Sequence, residues 1–353
     1  MTRLHRLPPP QPWIRSAVFD GLWVLSPPFV ALLLVLLLPA SFRSSAQMPL
    51  LGWLVLVVFI DVAHVYSTLF RTYFDPTRRR EQQRLLWLVP LGCYVAGVAL
   101  HQLGSLVFWR VLAYLAVFHF IRQQYGFLRL YQRQEPPTTP FRWLDTALVY
   151  YTTIYPLLYW HLSAPRNFTW FVEGDFLQHN WPAGRWVATI LYVGLLLLYL
   201  AKEVYQWRLY RRLNWPRNLL LAGTAVSWYF GIVYFNGDLA FTLLNVVSHG
   251  IPYLALIWIS RPAAPGRSAR PLGRVVALVG FLGLLFGLAY LEEGIWDGLV
   301  WREHAAAFGW FQQLPAVSSP GVLAWLVPLL ALPQATHYVL DGFIWRRPKP
   351  ASA

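Results

Sequence analysis

Residues 49–70 read PLLGWLVLVVFIDVAHVYSTLF, a run whose only full charge is Asp61. A helix crosses a bilayer with about 20 predominantly apolar residues, so this run predicts a membrane-spanning α-helix. It also holds His64, three residues after Asp61, with Thr68 and Arg71 following at steps of four and three. Those steps place the four side chains along one stripe of a helix. Ionisable groups at membrane depth are costly; they face the interior of a bundle, pair with one another and mark functional sites. The stretch therefore points both to an all-α membrane fold and to where its chemistry lies.

The same length rule, carried outward, places spans near 18–40, 49–70, 85–103, 105–128, 143–162, 186–205, 218–236, 239–259, 275–291 and 321–345. The expected fold is a polytopic membrane helix bundle of about ten transmembrane helices, forming one integral domain over residues 1–353. Composition agrees: 57% of the chain is hydrophobic and 12% charged, against roughly 25% charged in soluble domains. The single cysteine, Cys93, excludes an intramolecular disulfide, an all-cysteine metal site and a CxxCH haem attachment.

The net charge of +14 reflects topology, not a nucleic-acid partner. Most Lys and Arg residues fall before the first span and then in every second loop, as in Arg78-Arg79-Arg80 and Arg211-Arg212, and again at Arg346-Arg347. Cytoplasmic loops collect such residues. Both termini are therefore expected in the cytoplasm, with 1–16 and 346–353 as tails, and the protein in a bacterial inner membrane. Residues 292–320 are expected to form an external loop in the headgroup region, where Trp296, Trp301 and Trp310 suit the interface.

Four histidines lie inside hydrophobic runs: His64, His119, His249 and His337. They fall on spans two, four, eight and ten, which all run in the same direction. Counting about 1.5 Å per residue from the next cytoplasmic arginine puts them at similar depth, so they are expected to converge. Each has polar company at helical spacing. Arg122, Gln123 and Gly126 follow His119; Asn245 and Tyr253 flank His249 at four residues; Asp341 follows His337 by four. Pro252 and Pro333 each free a carbonyl beside a histidine, which predicts kinks that widen the bundle there. His101 and His161 sit near span ends, while His5, His179 and His304 are expected to be solvated.

Neutral imidazole is the commonest protein metal ligand, and a carboxylate often fixes its tautomer from outside. His64, His119, His249 and His337 are therefore the candidate metal ligands, and Asp61, Asp341 and Arg122 the candidate catalytic residues. Snorkelling to the interface is the competing role for Arg122. Fe(II) is the expected metal and Zn(II) the alternative, since magnesium and calcium prefer oxygen. The expected partners are membrane lipids, a lipid-soluble small-molecule substrate and, for some oxygenase chemistry, an unidentified electron donor.

In its architecture and in intramembrane histidines such as that of His119-Phe120, the chain resembles the Brp/Blh-type carotenoid-cleaving dioxygenases. The resemblance implies iron held by four intramembrane histidines. That family carries an HxxxH pair on one helix, and this chain has no such pair. A zinc version would resemble membrane ceramidase-like hydrolases, with Asp61 or Asp341 as general base towards metal-bound water. A bis-histidine haem electron carrier and a transporter or assembly factor without catalysis complete the alternatives.

Overall fold

The computed structural model describes residues 11–261 and 271–345. The start of the N-terminal tail, the C-terminal tail and the loop arginines Arg267 and Arg270 lie outside the described residues. Among the described residues the chain is helical, with no strand. The principal helices are α1 (Ala17–Leu25), α2 (Pro27–Leu37), α3 (Leu50–Arg71), α4 (Gln83–Leu103), α5 (Ser105–Tyr131) and α6 (Arg142–His161). They continue with α7 (Pro182–Tyr210), α8 (215–234), α9 (Asp238–Ser260), α10 (Leu272–Trp301), α11 (Pro320–Leu330) and α12 (Leu332–Ile344).

Six of these, α3, α4, α5, α7, α9 and α10, are long and apolar enough to cross a membrane. The number is eight if α1 with α2 and α11 with α12 are each one bent span. Helices also form where the two remaining spans were expected, as α6 and α8, but they fall outside that set. Their sequences are too polar: α6 carries Asp145, Thr152 and Thr153, and α8 carries Arg217 and Thr224, all buried against neighbouring helices.

Burial ranks the helices. In its most apolar window α9 is 78% buried and α4 only 11%. On α4, Trp87, Leu88, Leu91 and Val95 stay exposed along one face, which suits a hydrocarbon solvent and would be a liability in water. α9 is the central post, packed against α1, α2, α3 and α8.

Three local features position the site. Residues Leu54–Val62 of α3 are wound as a π-helix, a rare geometry often found at functional sites, and it ends just before His64. At that level Gly250 of α9 packs on α3 so closely that a Cβ would sit 2.7 Å from Ile60 Cγ2. The chain also bends by 41° between α11 and α12, directly ahead of Pro333, where the sequence predicts a kink. Pro252, by contrast, lies within one continuous helix.

α10 ends at Trp301 and not near 291. Glu292, Glu293 and Asp297, expected in an external loop, are thereby carried on a helix. Glu292 is stabilised there by hydrogen bonds from Tyr66 Oη, at 2.5 Å, and from Gln334 Nε2.

At the arginine-rich end a buried ionic cluster ties α6, α7 and α8 together. Lys202 contacts Asp145 and lies 2.8 Å from Glu203 Oε1. Arg217 contacts Glu203, lies 2.9 Å from Glu135 Oε1 and lies 3.4 Å from Asp145 Oδ2. The sequence pattern counts Lys202 and Arg217 as loop cations, yet both are buried. Glu203 is adjacent to Lys202, but Asp145 and Glu135 come from distant parts of the chain and cannot be read from local spacing.

Candidate metal centre

The four histidines converge. α3 supplies His64, α5 His119, α9 His249 and α12 His337, and each is 1–2% exposed. His64 Nε2 lies 3.1 Å from His249 Nε2, and His337 Nε2 lies 3.1 Å from His119 Nε2. The two pairs abut, with ring centroids 5.0 Å apart for His64–His337 and for His119–His249. One ring nitrogen from each of His64, His119 and His337 lies within 4.8 Å of the others.

The outward nitrogens face oxygen. His337 Nδ1 is 2.6 Å from Thr68 Oγ1, a hydrogen bond. His119 Nδ1 is 3.4 Å from Asp341 Oδ2, and His64 Nδ1 is 3.5 Å from Asp61 Oδ1. These longer contacts are electrostatic. Asp341 is itself held by Tyr253 Oη at 2.8 Å and Trp345 Nε1 at 2.7 Å, both donating to Oδ1. Ring protons drawn to Nδ1 by these oxygens leave the Nε2 lone pairs of three rings pointing inward.

Lone pairs facing one another repel unless something electropositive lies between them. A proton can bridge one close pair. A divalent metal bridges all of them, and metal–imidazole bonds of about 2.0–2.1 Å put neighbouring ligand nitrogens roughly 3.0–3.4 Å apart. The observed 3.1 Å separations match that spacing. Oxygen partners on the far ring nitrogen are the usual orienting shell of metal-bound histidine.

His249 is positioned differently. Phe120 stacks on its ring with centroids 3.5 Å apart and planes 7° from parallel, and Gln123 Nε2 donates to its backbone carbonyl at 2.9 Å. Its Nδ1 is buried without a hydrogen-bond partner.

Asp61 and Asp341 thus lie beside the imidazoles, while the expectation that Arg122 joins them is not met. Arg122 is exposed; its Nη1 donates to Tyr150 Oη at 2.6 Å, and the guanidinium covers the Tyr125 ring. Three residues after His119, helical rotation turns it about 60° away from the inward face. His304, expected to be solvated, stacks on Trp53 at 3.8 Å.

A cavity of about 600 Å³ adjoins the centre on the side away from the arginine-rich end. Asp61, Phe120 and Tyr338 line it, and each touches a histidine: Asp61 on His64, Phe120 on His249, Tyr338 on His119. One layer of side chains separates cavity from imidazoles. Residues Thr169–Glu173 form part of the wall. Their backbone is pinned by Asp175, whose Oδ2 accepts from the amides of Trp170, Phe171 and Val172 at 2.9, 2.6 and 3.2 Å. Burial pushes the Asp175 carboxyl above its ordinary pKa, and these amide hydrogen bonds pull against that rise.

Sequence spacing alone singles out the histidines, Asp61, Asp341, Thr68 and Tyr253. Phe120 and Glu293 carry no such signal; Trp345 does stand at a helical step of four after Asp341, the carboxylate it donates to, and that spacing could have found it. In comparison with known proteins, the chain matches no protein-family model, no curated protein and no solved structure.

Proposed function

We propose that this protein is an integral-membrane metalloenzyme. In this reading the chain crosses a bacterial inner membrane ten times with both termini in the cytoplasm, and His64, His119, His249 and His337 bind one divalent metal. The observation that carries it is the inward convergence of imidazole nitrogens at 3.1 Å, backed by Thr68, Asp61 and Asp341 on the outer nitrogens. Asp341 and Thr68 act as positioning residues through His119 and His337.

The number of ligating imidazoles selects the ion. Four imidazoles fill a tetrahedral zinc shell, and catalytic zinc keeps one position open for water. A six-coordinate Fe(II) would keep two positions open, one for dioxygen. We therefore assign Fe(II) and an oxygenase reaction on a lipid-soluble substrate held in the adjoining cavity. A dioxygenase balances without an outside reductant, since one C=C and one O=O bond break and two carbonyl groups form.

One observation favours a second reading. The group within 4.8 Å contains His64, His119 and His337 but not His249. Three imidazoles plus water suit catalytic Zn(II), with Asp61, which lines the cavity, as general base in ester or amide hydrolysis.

Elemental analysis of the purified full chain and its four His→Ala variants tests both. Loss of iron in every variant supports the iron enzyme. Zinc retained in His249→Ala but lost in the other three supports the hydrolase. Metal content unchanged in all four rejects the centre.

A further inference from the structure

The cavity has a chemical character of its own. Its volume falls within the range of small-molecule sites, and its outer part is walled by indole rings. Trp109, Trp296 and Trp301 lie in mutual contact, with centroids 5.7–5.9 Å apart. Trp53 and Trp170 add further aromatic surface.

Between these rings stand carboxylates. Asp61 and Glu293 both line the cavity. Asp61 Oδ1 is buried with no hydrogen-bond partner, and His64 Nδ1 lies 3.5 Å from it. Glu293, on α10, forms no salt bridge among the described residues. Asn245, 4% exposed and on the same wall, also leaves its Oδ1 without a partner. Asp297 is differently placed, because the amides of Glu303 and His304 and the side chain of Gln312 satisfy it.

Among the described residues no Arg or Lys lines the cavity, and His304, near Asp297 at 3.7 Å, is the one basic group on its wall. An anionic headgroup would meet carboxylates with nothing to neutralise it. A purely apolar guest would strip water from the carboxyl groups of Asp61 and Glu293 without replacing its hydrogen bonds, which is costly for a polar group. A cation attached to an apolar chain satisfies both features, since indole faces attract cations and choline-type groups are held in aromatic cages.

We propose that the cavity binds an amphiphilic cation, an amine or quaternary ammonium on an apolar chain, with the cationic group between Glu293 and the tryptophans. That this guest is the substrate rests on the metalloenzyme reading above; that it binds does not. Asp61, Phe120 and Tyr338 form the floor through which the guest faces the metal centre.

The test is calorimetric titration of the full chain in maltoside micelles with hexyltrimethylammonium, hexyl sulfate and hexanol, alongside metal analysis of the same samples. Hexyltrimethylammonium should bind at least tenfold tighter than either control. Glu293→Gln should weaken it at least tenfold with bound metal unchanged, Glu293→Asp should restore part of the affinity, and Trp301→Leu at the rim should weaken it severalfold. Equal binding of the three probes, or full affinity in a folded Glu293→Gln protein, overturns the proposal. Selective cation binding by a protein that never takes up metal would sustain the cavity and reject the metal centre.

Discussion

Two of the buried polar clusters among the described residues are built on opposite principles. Around Asp145, Lys202, Glu203 and Arg217 every cation meets carboxylates, and Gln132 and Asn218 fill further oxygen sites at 2.8 and 2.7 Å. Around His64, His119, His249 and His337 nitrogen meets nitrogen at 3.1 Å, and the counter-groups stand outside the ring of imidazoles. The first cluster is complete within the protein and ties helices together. In the proposed reading, a bound cation completes the second. Complementary buried charge thus marks structure here, and converging like groups mark a site.

Breaking the ionic cluster should have the larger effect on stability. Arg217→Met takes from Glu135 its ion-pair partner and from Glu203 and Asp145 one of their two cations. Removing one partner of a buried pair costs about 3–5 kcal/mol, so the thermal unfolding temperature in detergent should drop sharply while the surviving folded protein has the metal content of the parent. Equal stability would mean that the cluster does not hold α6, α7 and α8 together.

Asp341→Asn sharpens the contrast from the other side. Asparagine can still accept from Tyr253 and Trp345, so the fold should persist. The charge facing His119 is lost, and changes of this kind weaken metal binding by about 10–100-fold, readable by chelator competition. An unchanged affinity would remove Asp341 from the centre.

The smallest effect is expected for Arg122→Gln. Its partners are Tyr150 and Tyr125, so metal content should stay as in the parent protein. Loss of metal would show that Arg122 reaches the imidazoles in a state other than this one.

The contrast also explains what spacing could and could not reveal. Periodicity within one helix places Asp61, His64 and Thr68 on one stripe of α3, and Asn245, His249 and Tyr253 on one stripe of α9. It gives Arg122 and His119 similar standing, although one faces outward and the other the core. It reads Lys202 and Arg217 as topology markers, because Asp145 and Glu135, which help to bury them, lie far along the chain. It ends a span near 291, because the rule that charges stop a membrane helix has no knowledge of Tyr66 and Gln334 waiting to bond Glu292.

The sequence by itself determined the helical membrane class, since runs of apolar residues have no other way to satisfy their backbone in lipid. It also determined which costly residues are held at depth. Tertiary structure alone decided that imidazoles from four helices come together, three of them with ring nitrogens within 4.8 Å of one another, that Phe120 rather than Arg122 flanks them, and that a tryptophan-lined acidic cavity opens beside them. Those facts depend on helix rotation, the π-helical turns of α3, the bend before α12 and the close approach at Gly250. The bend is local, beside Pro333; the others are fixed by packing between segments remote in sequence.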